Sequence, residues 1–141
     1  MPAVTAVVDL IKLHEGCQLK PYIDTAGKIT IGFGHNLDDR GIPQHMADDL
    51  FERDLNRCLV EGRQFDWYTR LNAPRRAVIV DMLYNLGLPR FRQFEKLIAA
   101  LERDDTDEAA EEMLTSKWAV QVGQRAQRLS LMMRSGEWPA V

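Results

Sequence analysis

The sequence is poor in several features that mark particular classes of protein. It has two cysteines, Cys17 and Cys58, which are too few for a disulfide framework, so we expect both to be free, buried thiols. It contains no run of about 18 apolar residues and therefore predicts no transmembrane helix. It has no excess of basic residues, with 18 Lys and Arg against 21 Asp and Glu, which argues against a general nucleic-acid binder.

Other absences concern targeting and organisation. The N-terminal residues have no basic n-region, and their apolar pattern is interrupted by Asp9 and Lys12. We therefore interpret them as a mature helix and not as a signal peptide. Repeats, low-complexity tracts and linkers are also missing, so the 141 residues predict a single domain, 1–141, without a separate binding module.

What is present includes an uneven distribution of charge. Residues 102–112 hold seven acids against one arginine, whereas residues 113–136 hold no acid at all. The basic residues of that acid-free stretch are Lys117, Arg125, Arg128 and Arg134. A solvated helix face is the ordinary interpretation of such a run. The functional alternative is a positive rim that attracts an anionic polymer.

The stretch from His14 to His35 carries the most chemical information. Tyr22 to Asp24 predicts a short strand, and residues 24–27 predict a turn that ends in a glycine. From Lys28 to Phe33 apolar and polar residues alternate, which predicts a second strand with Thr30 on the face away from the apolar residues. Asp24 and Thr30 should therefore lie on either side of one tight turn.

Glu15 closes the helix that precedes this hairpin. Helical spacing of apolar residues predicts a first helix from about Pro2 to Glu15, ended by Gly16. Continuing the apolar stripe leads to Glu15, so we expect its carboxyl in a partly dry environment that favours the protonated acid. A carboxylate at a helix C-terminus also opposes the helix dipole, which favours a functional explanation over a purely structural one.

The remaining chain predicts a series of helices. A long helix should run from Pro43 to Glu61 and end at Gly62, and an apolar helix capped by Asn72 should form the centre of the core. We further expect a chain break at 88–90, followed by a short helix that ends near Leu101. Thr106 should cap the next helix. A last helix should run over 123–134 and end at Gly136, with Trp138 packing down the C-terminus. Trp67 should lie over the core, with exposed sugar stacking as the alternative.

These residues resemble a known family. The pattern E-G…D-T-x-G-x-x-T-I-G-x-G-H, with weaker similarity through RRAVIVDMLYNLG, KW, QRAQR and RSGEW, resembles the phage-type lysozymes of glycoside hydrolase family 24. The resemblance implies a mainly α, α+β fold with two lobes joined by the long helix. The small lobe would comprise about 16–45, and the helical lobe about 46–141 together with the N-terminal helix 2–15. It also implies peptidoglycan as the substrate, cut between N-acetylmuramic acid and N-acetylglucosamine.

The resemblance implies a role for each matching residue. Glu15, Asp24 and Thr30 fall on the family's catalytic residues, with Glu15 as the acid and with Asp24 and Thr30 positioning a water. Arg125, and less directly Arg128, would reach back to Glu15. His35 would pair with Asp54. The family's pattern is longer between His35 and Pro43, so this departure puts the outer sugar subsites in doubt.

Several alternatives stay open at this stage. A lytic transglycosylase would cut the same bond with one Glu and no water, although the presence of both Asp24 and Thr30 argues against it. A non-catalytic wall-binding protein or a structural phage protein would share the fold. We expect no cofactor and no metal, because His35, Asp38, Asp39 and His45 match no zinc spacing. We further expect a monomer without membrane insertion that acts from the host cytoplasm and reaches the wall through a holin or another release route.

Overall fold

The chain divides into two compact units, Met1–Asp49 and Leu50–Val141. This is a computed structural model that describes residue 4 and residues 6–140. The mainly helical α+β class expected from the sequence is confirmed. Within the described residues no helix combines the length and the apolar character needed to cross a bilayer.

The first unit is built on a small antiparallel sheet with the strand order β1-β2-β3. Its elements are α1 (Val7–Glu15), β1 (Gln18–Ile23), β2 (Ile29–Gly32), β3 (His35–Asn36) and α2 (Leu37–Arg40). The predicted hairpin is present, with Ile23 paired to Ile29 across the turn. Strand β1 begins earlier than predicted, because the pairing continues past an irregularity between Gln18 and Tyr22. The two-residue strand β3 is too short for the alternation rule to detect.

Helix α1 ends at Glu15, as predicted, and Gly16 follows with a φ of +67°. The start predicted at Pro2 lies outside the described residues. The apolar stripe that was expected to be buried has no buried member within this unit, and Glu15 is itself exposed. The partly dry environment expected for its carboxyl is therefore not provided by the first unit.

Helix α3 (Gln44–Arg63) begins in the first unit and continues into the second. It matches the long helix predicted from the apolar spacing, but Gly62 does not end it. Gly62 is buried within the helix, and a Cβ at this position would lie 3.1 Å from Cε2 of Tyr68. Glycine is present there because the aromatic ring packs against the helix backbone, and not because the helix stops.

The second unit is helical. After a 3₁₀ turn over Asp66–Arg70 its elements are α4 (Ala73–Leu86), α5 (Leu88–Phe91), α6 (Glu95–Glu102), α7 (Thr106–Leu114), α8 (Lys117–Val122) and α9 (Gln124–Ser135). Helix α4 lies at the centre of the core, as predicted. The largest fully buried side chains are Phe91, Ile79, Met82, Leu83, Leu97, Leu101, Met113, Met133, Val78 and Cys58.

The two cysteines differ in environment. Both are free, but Cys17 is exposed, so its predicted burial is wrong. Cys58 is fully buried, and this burial raises the pKa of its thiol because desolvation penalises the charged thiolate. Trp67 is buried as well, with 3% of its surface exposed, which confirms its place in the core and excludes the sugar-stacking alternative.

Several boundaries in the second unit differ from prediction. The break expected at 88–90 is a short helix, since Pro89 is tolerated in its first turn. Helix α7 is capped by the side chain of Asp105, which accepts from the amide of Glu108, and not by Thr106. Gly123, with a φ of +57°, separates α8 from α9. Trp138, which was expected to pack down, is 62% exposed.

Candidate active site

Glu15 is placed by the end of α1. Its carboxyl has no hydrogen-bond or ion-pair partner among the described residues. It lies against the backbone of Gly34, in the turn between β2 and β3, where a Cβ would lie 2.9 Å from Cδ of Glu15. Lys12 lies one helical turn earlier and places its Nζ 5.1 Å from the ring centroid of Phe33. The end of α1 therefore contacts this turn at two successive residues.

Asp24 is fixed by the turn between β1 and β2. Its Oδ1 accepts from the backbone amides of Ala26, at 2.9 Å, and Lys28, at 2.8 Å. The backbone of the turn is closed by the amide of Asp24 bonding to the carbonyl of Lys28 at 2.9 Å, while Gly27 adopts a φ of +81°. The two amide donors fix the direction of the Asp24 carboxyl.

Thr30 lies on β2, opposite Tyr22 on one side and Asn36 on the other. Only 2% of its surface is exposed, so the face of the strand that carries Thr30 is covered by other residues. Its hydroxyl donates to the carbonyl of Lys28 at 3.0 Å. Because this bond uses the hydroxyl hydrogen, the oxygen keeps its lone pairs to accept a bond from another molecule.

The backbone of Lys28 links the two predicted catalytic residues of the hairpin. Its amide donates to Asp24, and its carbonyl accepts from the hydroxyl of Thr30. A carboxylate and a hydroxyl are thus anchored to one residue. Asp24 and Thr30 therefore lie on either side of one turn, as predicted, and both bond to the backbone of Lys28.

Two acids in α2 support this turn and were missed as supporting residues by the sequence reasoning. Asp38 Oδ2 accepts from the amide of Ile29 at 2.7 Å, and Asp39 lies 3.1 Å from Nζ of Lys28. Asn36 caps α2 by accepting from the amide of Asp39. The Asn-x-x-Asp spacing was the available signal, since it is typical of a helix N-terminus. These carboxylates bond to the hairpin, which is a structural role.

His35 and Asp54 each have a local partner. His35 Nε2 lies 2.6 Å from the carbonyl oxygen of Gly41, and Asp54 accepts from Arg57 at 3.0 Å. His35 belongs to the first unit and Asp54 to the second. The ion pair between His35 and Asp54 stays a prediction.

Arg125 projects from α9 and pairs with Asp81 of α4. Both Nε and Nη2 of Arg125 lie 2.8 Å from Oδ1 of Asp81. The signal for this pair was a single carboxylate within the strongly apolar sequence of α4. Arg128 has no ion-pair partner in the described part of the chain. The expected reach of Arg125 or Arg128 to Glu15 joins residues of different units and stays a prediction.

The positive rim that was the functional alternative for the acid-free stretch is partly neutralised. Arg125 is paired with Asp81, and Arg134 lies 3.3 Å from Oε2 of Glu111. Asp81 of α4 and Glu111 of the preceding acidic stretch therefore compensate part of this charge. Lys117 and Arg128 are the members without an ion pair within the described residues.

The first unit carries two carboxyl groups and a hydroxyl on its helix end and its hairpin. One exposed carboxyl, that of Glu15, has no fixed partner and can exchange a proton with a bound molecule. A second carboxyl, that of Asp24, accepts from two backbone amides and shares Lys28 as a partner with the Thr30 hydroxyl. Two carboxyl groups with such different surroundings can divide the roles of acid and base.

Comparisons with known proteins point in the same direction. The model of a family described as phage lysozyme matches residues 12–136, a range that includes Glu15, Asp24 and Thr30. Two proteins of Dictyostelium discoideum, described as probable T4-type lysozymes 1 and 2, are 26% and 24% identical to this chain, and each alignment covers 94% of this chain and 96% of the relative. The SAR-endolysin of Bacteriophage PS119 is 26% identical over 70% of this chain and 60% of that protein.

Proposed function

Because the chain belongs to the phage lysozyme family, we propose that it hydrolyses peptidoglycan at the β-1,4 bond between N-acetylmuramic acid and N-acetylglucosamine. The observation that carries the proposal is the turn in which Asp24 and Thr30 are anchored to the same residue, Lys28. The family match supports lysozyme activity in general. The particular bond that is cleaved and the roles of the three residues are what we propose in addition.

Glu15 is the general acid in this proposal. Cleavage of a glycosidic bond requires a proton on the leaving oxygen, and a carboxylic acid is the usual donor. The carboxyl of Glu15 is exposed and has no partner among the described residues, so it is available to a sugar oxygen. An acid already engaged in an ion pair would resist protonation and would be a poorer donor.

Asp24 and Thr30 hold the attacking water. The two backbone amides on Oδ1 fix the direction of the Asp24 carboxyl, and its Oδ2 can accept a proton from water. The Thr30 hydroxyl donates to the carbonyl of Lys28, which leaves its oxygen to accept the second hydrogen of the same water. A water held by two acceptors presents a lone pair to the anomeric carbon, as direct hydrolysis requires.

The proposal is tested by clearing of permeabilised Gram-negative cells. We expect the wild-type protein to reduce turbidity and Glu15→Gln to lose at least about 10²-fold of that activity while remaining folded, because the amide cannot act as a general acid. Glu52→Gln is the matched control, since Glu52 is an exposed glutamate in α3 with no side-chain partner among the described residues.

The control should retain wild-type activity. Turbidity that the wild-type protein leaves unchanged would exclude a wall hydrolase. A folded Glu15→Gln protein as active as Glu52→Gln would remove Glu15 from the mechanism.

A further inference from the structure

Gly34 differs from the other glycines of the hairpin in what lies next to its Cα. A Cβ built on Gly34 would lie 2.9 Å from Cδ and 3.4 Å from Cγ of Glu15, and closer still to the carboxyl oxygen Oε2. Gly32 has a similar backbone, with a φ of +67° against +71°, yet a Cβ there would meet no atom within 4 Å. The space that Gly34 leaves open is thus the space that the Glu15 carboxyl occupies.

We propose that Gly34 is a positioning residue for the acid: the absent side chain leaves the volume in which the Glu15 carboxyl lies. This proposal rests on the proposed function, because it assumes that Glu15 donates the proton. A Cβ at position 34 would overlap the Glu15 carboxyl, and the carboxyl can move away by rotation about its own side-chain bonds. The displacement changes where the proton is delivered and leaves the fold in place.

A second contact, between Lys12 and Phe33, joins the end of α1 to the turn between β2 and β3. Phe33, next to Gly34, lies under the Lys12 ammonium, with 5.1 Å between Nζ and the ring centroid. Lys12 and Glu15 are three residues apart and so share one side of α1. Phe33 therefore contacts Lys12 of the helix end, and Gly34, the next residue, leaves space for the Glu15 carboxyl.

The test compares Gly34→Ala with Gly32→Ala. Both substitutions place alanine in a left-handed backbone conformation, so both carry the same kind of strain and should lower the melting temperature to a similar extent. We expect kcat on a defined peptidoglycan fragment to fall about 10²-fold further in Gly34→Ala than in Gly32→Ala, with KM similar in the two variants, because a displaced acid weakens only the chemical step. Equal kcat values in the two folded variants would overturn the proposal.

A second measurement does not depend on activity. The ¹³C resonance of the Glu15 carboxyl carbon, assigned by its loss in Glu15→Gln, should move in Gly34→Ala and stay in place in Gly32→Ala. A resonance that moves equally in both variants would contradict the proposal. If the wild-type protein fails to cleave peptidoglycan, the proposed function fails, and this resonance still decides whether Gly34 positions the Glu15 carboxyl.

A third variant covers a failure to fold. If Gly34→Ala is unfolded, the double variant Glu15→Ala with Gly34→Ala removes the colliding carboxyl. We expect this double variant to fold and to melt within a few degrees of Gly32→Ala. A double variant that is also unfolded would show that position 34 needs glycine for the backbone alone and would overturn the proposal.

Discussion

At the scale of single residues, Asp24 combines a structural bond pattern with the chemical role that we propose for it. Its Oδ1 accepts from two amides of the turn, and this leaves Oδ2 free of any hydrogen bond within the described residues. One oxygen therefore shapes the turn while the other can face a bound water. The sequence predicts the turn and the carboxylate, because Asp and Gly favour such turns. It could not predict the burial of Thr30, since alternation along one strand does not show which face the rest of the chain covers.

The two functions of Asp24 can be separated by substitution. We expect Asp24→Asn to keep the turn, because the amide oxygen of asparagine accepts the same two bonds, and to change the unfolding free energy by less than about 0.5 kcal/mol. The same variant should lose about 10²-fold or more of the lytic activity, because a neutral amide cannot take a proton from water. Chemical denaturation and the turbidity assay measure the two effects.

Asp24→Ala is the companion variant. It should lose the activity and also about 1–2 kcal/mol of stability, because the amides of Ala26 and Lys28 lose their acceptor. An Asp24→Asn protein that is as active as the wild type would contradict the role of Asp24 in holding the water.

At the scale of elements, the ends of the helices determine how α4 and α9 are joined. Asn72 caps α4, and its side-chain amide also donates to the carbonyl of Gly136 at 2.9 Å. Arg75 donates to the last carbonyls of α9, those of Met133 at 2.8 Å and Arg134 at 2.9 Å. The start of α4 therefore satisfies the unpaired carbonyls at the end of α9, where a positive charge is also favourable.

Arg75 should accordingly contribute more to stability than an arginine whose side chain has no partner. We expect Arg75→Met to lower the unfolding free energy by about 1–3 kcal/mol, because two carbonyls lose a charged donor. Arg90→Met is the matched control, since Arg90 is exposed in α5 and has no side-chain partner in the described part of the chain. It should change stability by less than about 0.5 kcal/mol. Equal effects of the two substitutions in denaturant titrations would show that the contacts to α9 contribute nothing.

Element boundaries also show where local sequence signals are sufficient. Asn72 caps the start of α4 and Gly136 ends α9, both as predicted, because cap residues act through their own backbone and neighbouring amides. Gly62 was misjudged because its reason is a contact with Tyr68, six residues away, which no local rule contains. Thr106 was misjudged because two good capping residues are adjacent, and Asp105 takes the cap.

At the scale of the whole molecule, the central place of α4 could be predicted, because hydrophobic periodicity reports burial directly. The fold class was implied by the family resemblance. The ion-pair partners of charged residues could not be predicted, because they depend on how the elements pack. Within its own unit Arg125 pairs with Asp81, and this pairing depends on how α4 and α9 face each other. The three catalytic assignments rest on a compact motif, so a single stretch of sequence was enough to place them on one helix end and one hairpin.

The central claim, that water cleaves the glycosidic bond, is tested most directly by digesting purified peptidoglycan in H₂¹⁸O and analysing the products by mass spectrometry. A water held by Asp24 and Thr30 predicts muropeptides that end in reducing N-acetylmuramic acid and carry one ¹⁸O atom at the new end. Glu15→Gln should give neither product above background. Products that end mainly in 1,6-anhydro rings without ¹⁸O would contradict the account, because the sugar's own hydroxyl, and not water, would then have closed the reaction.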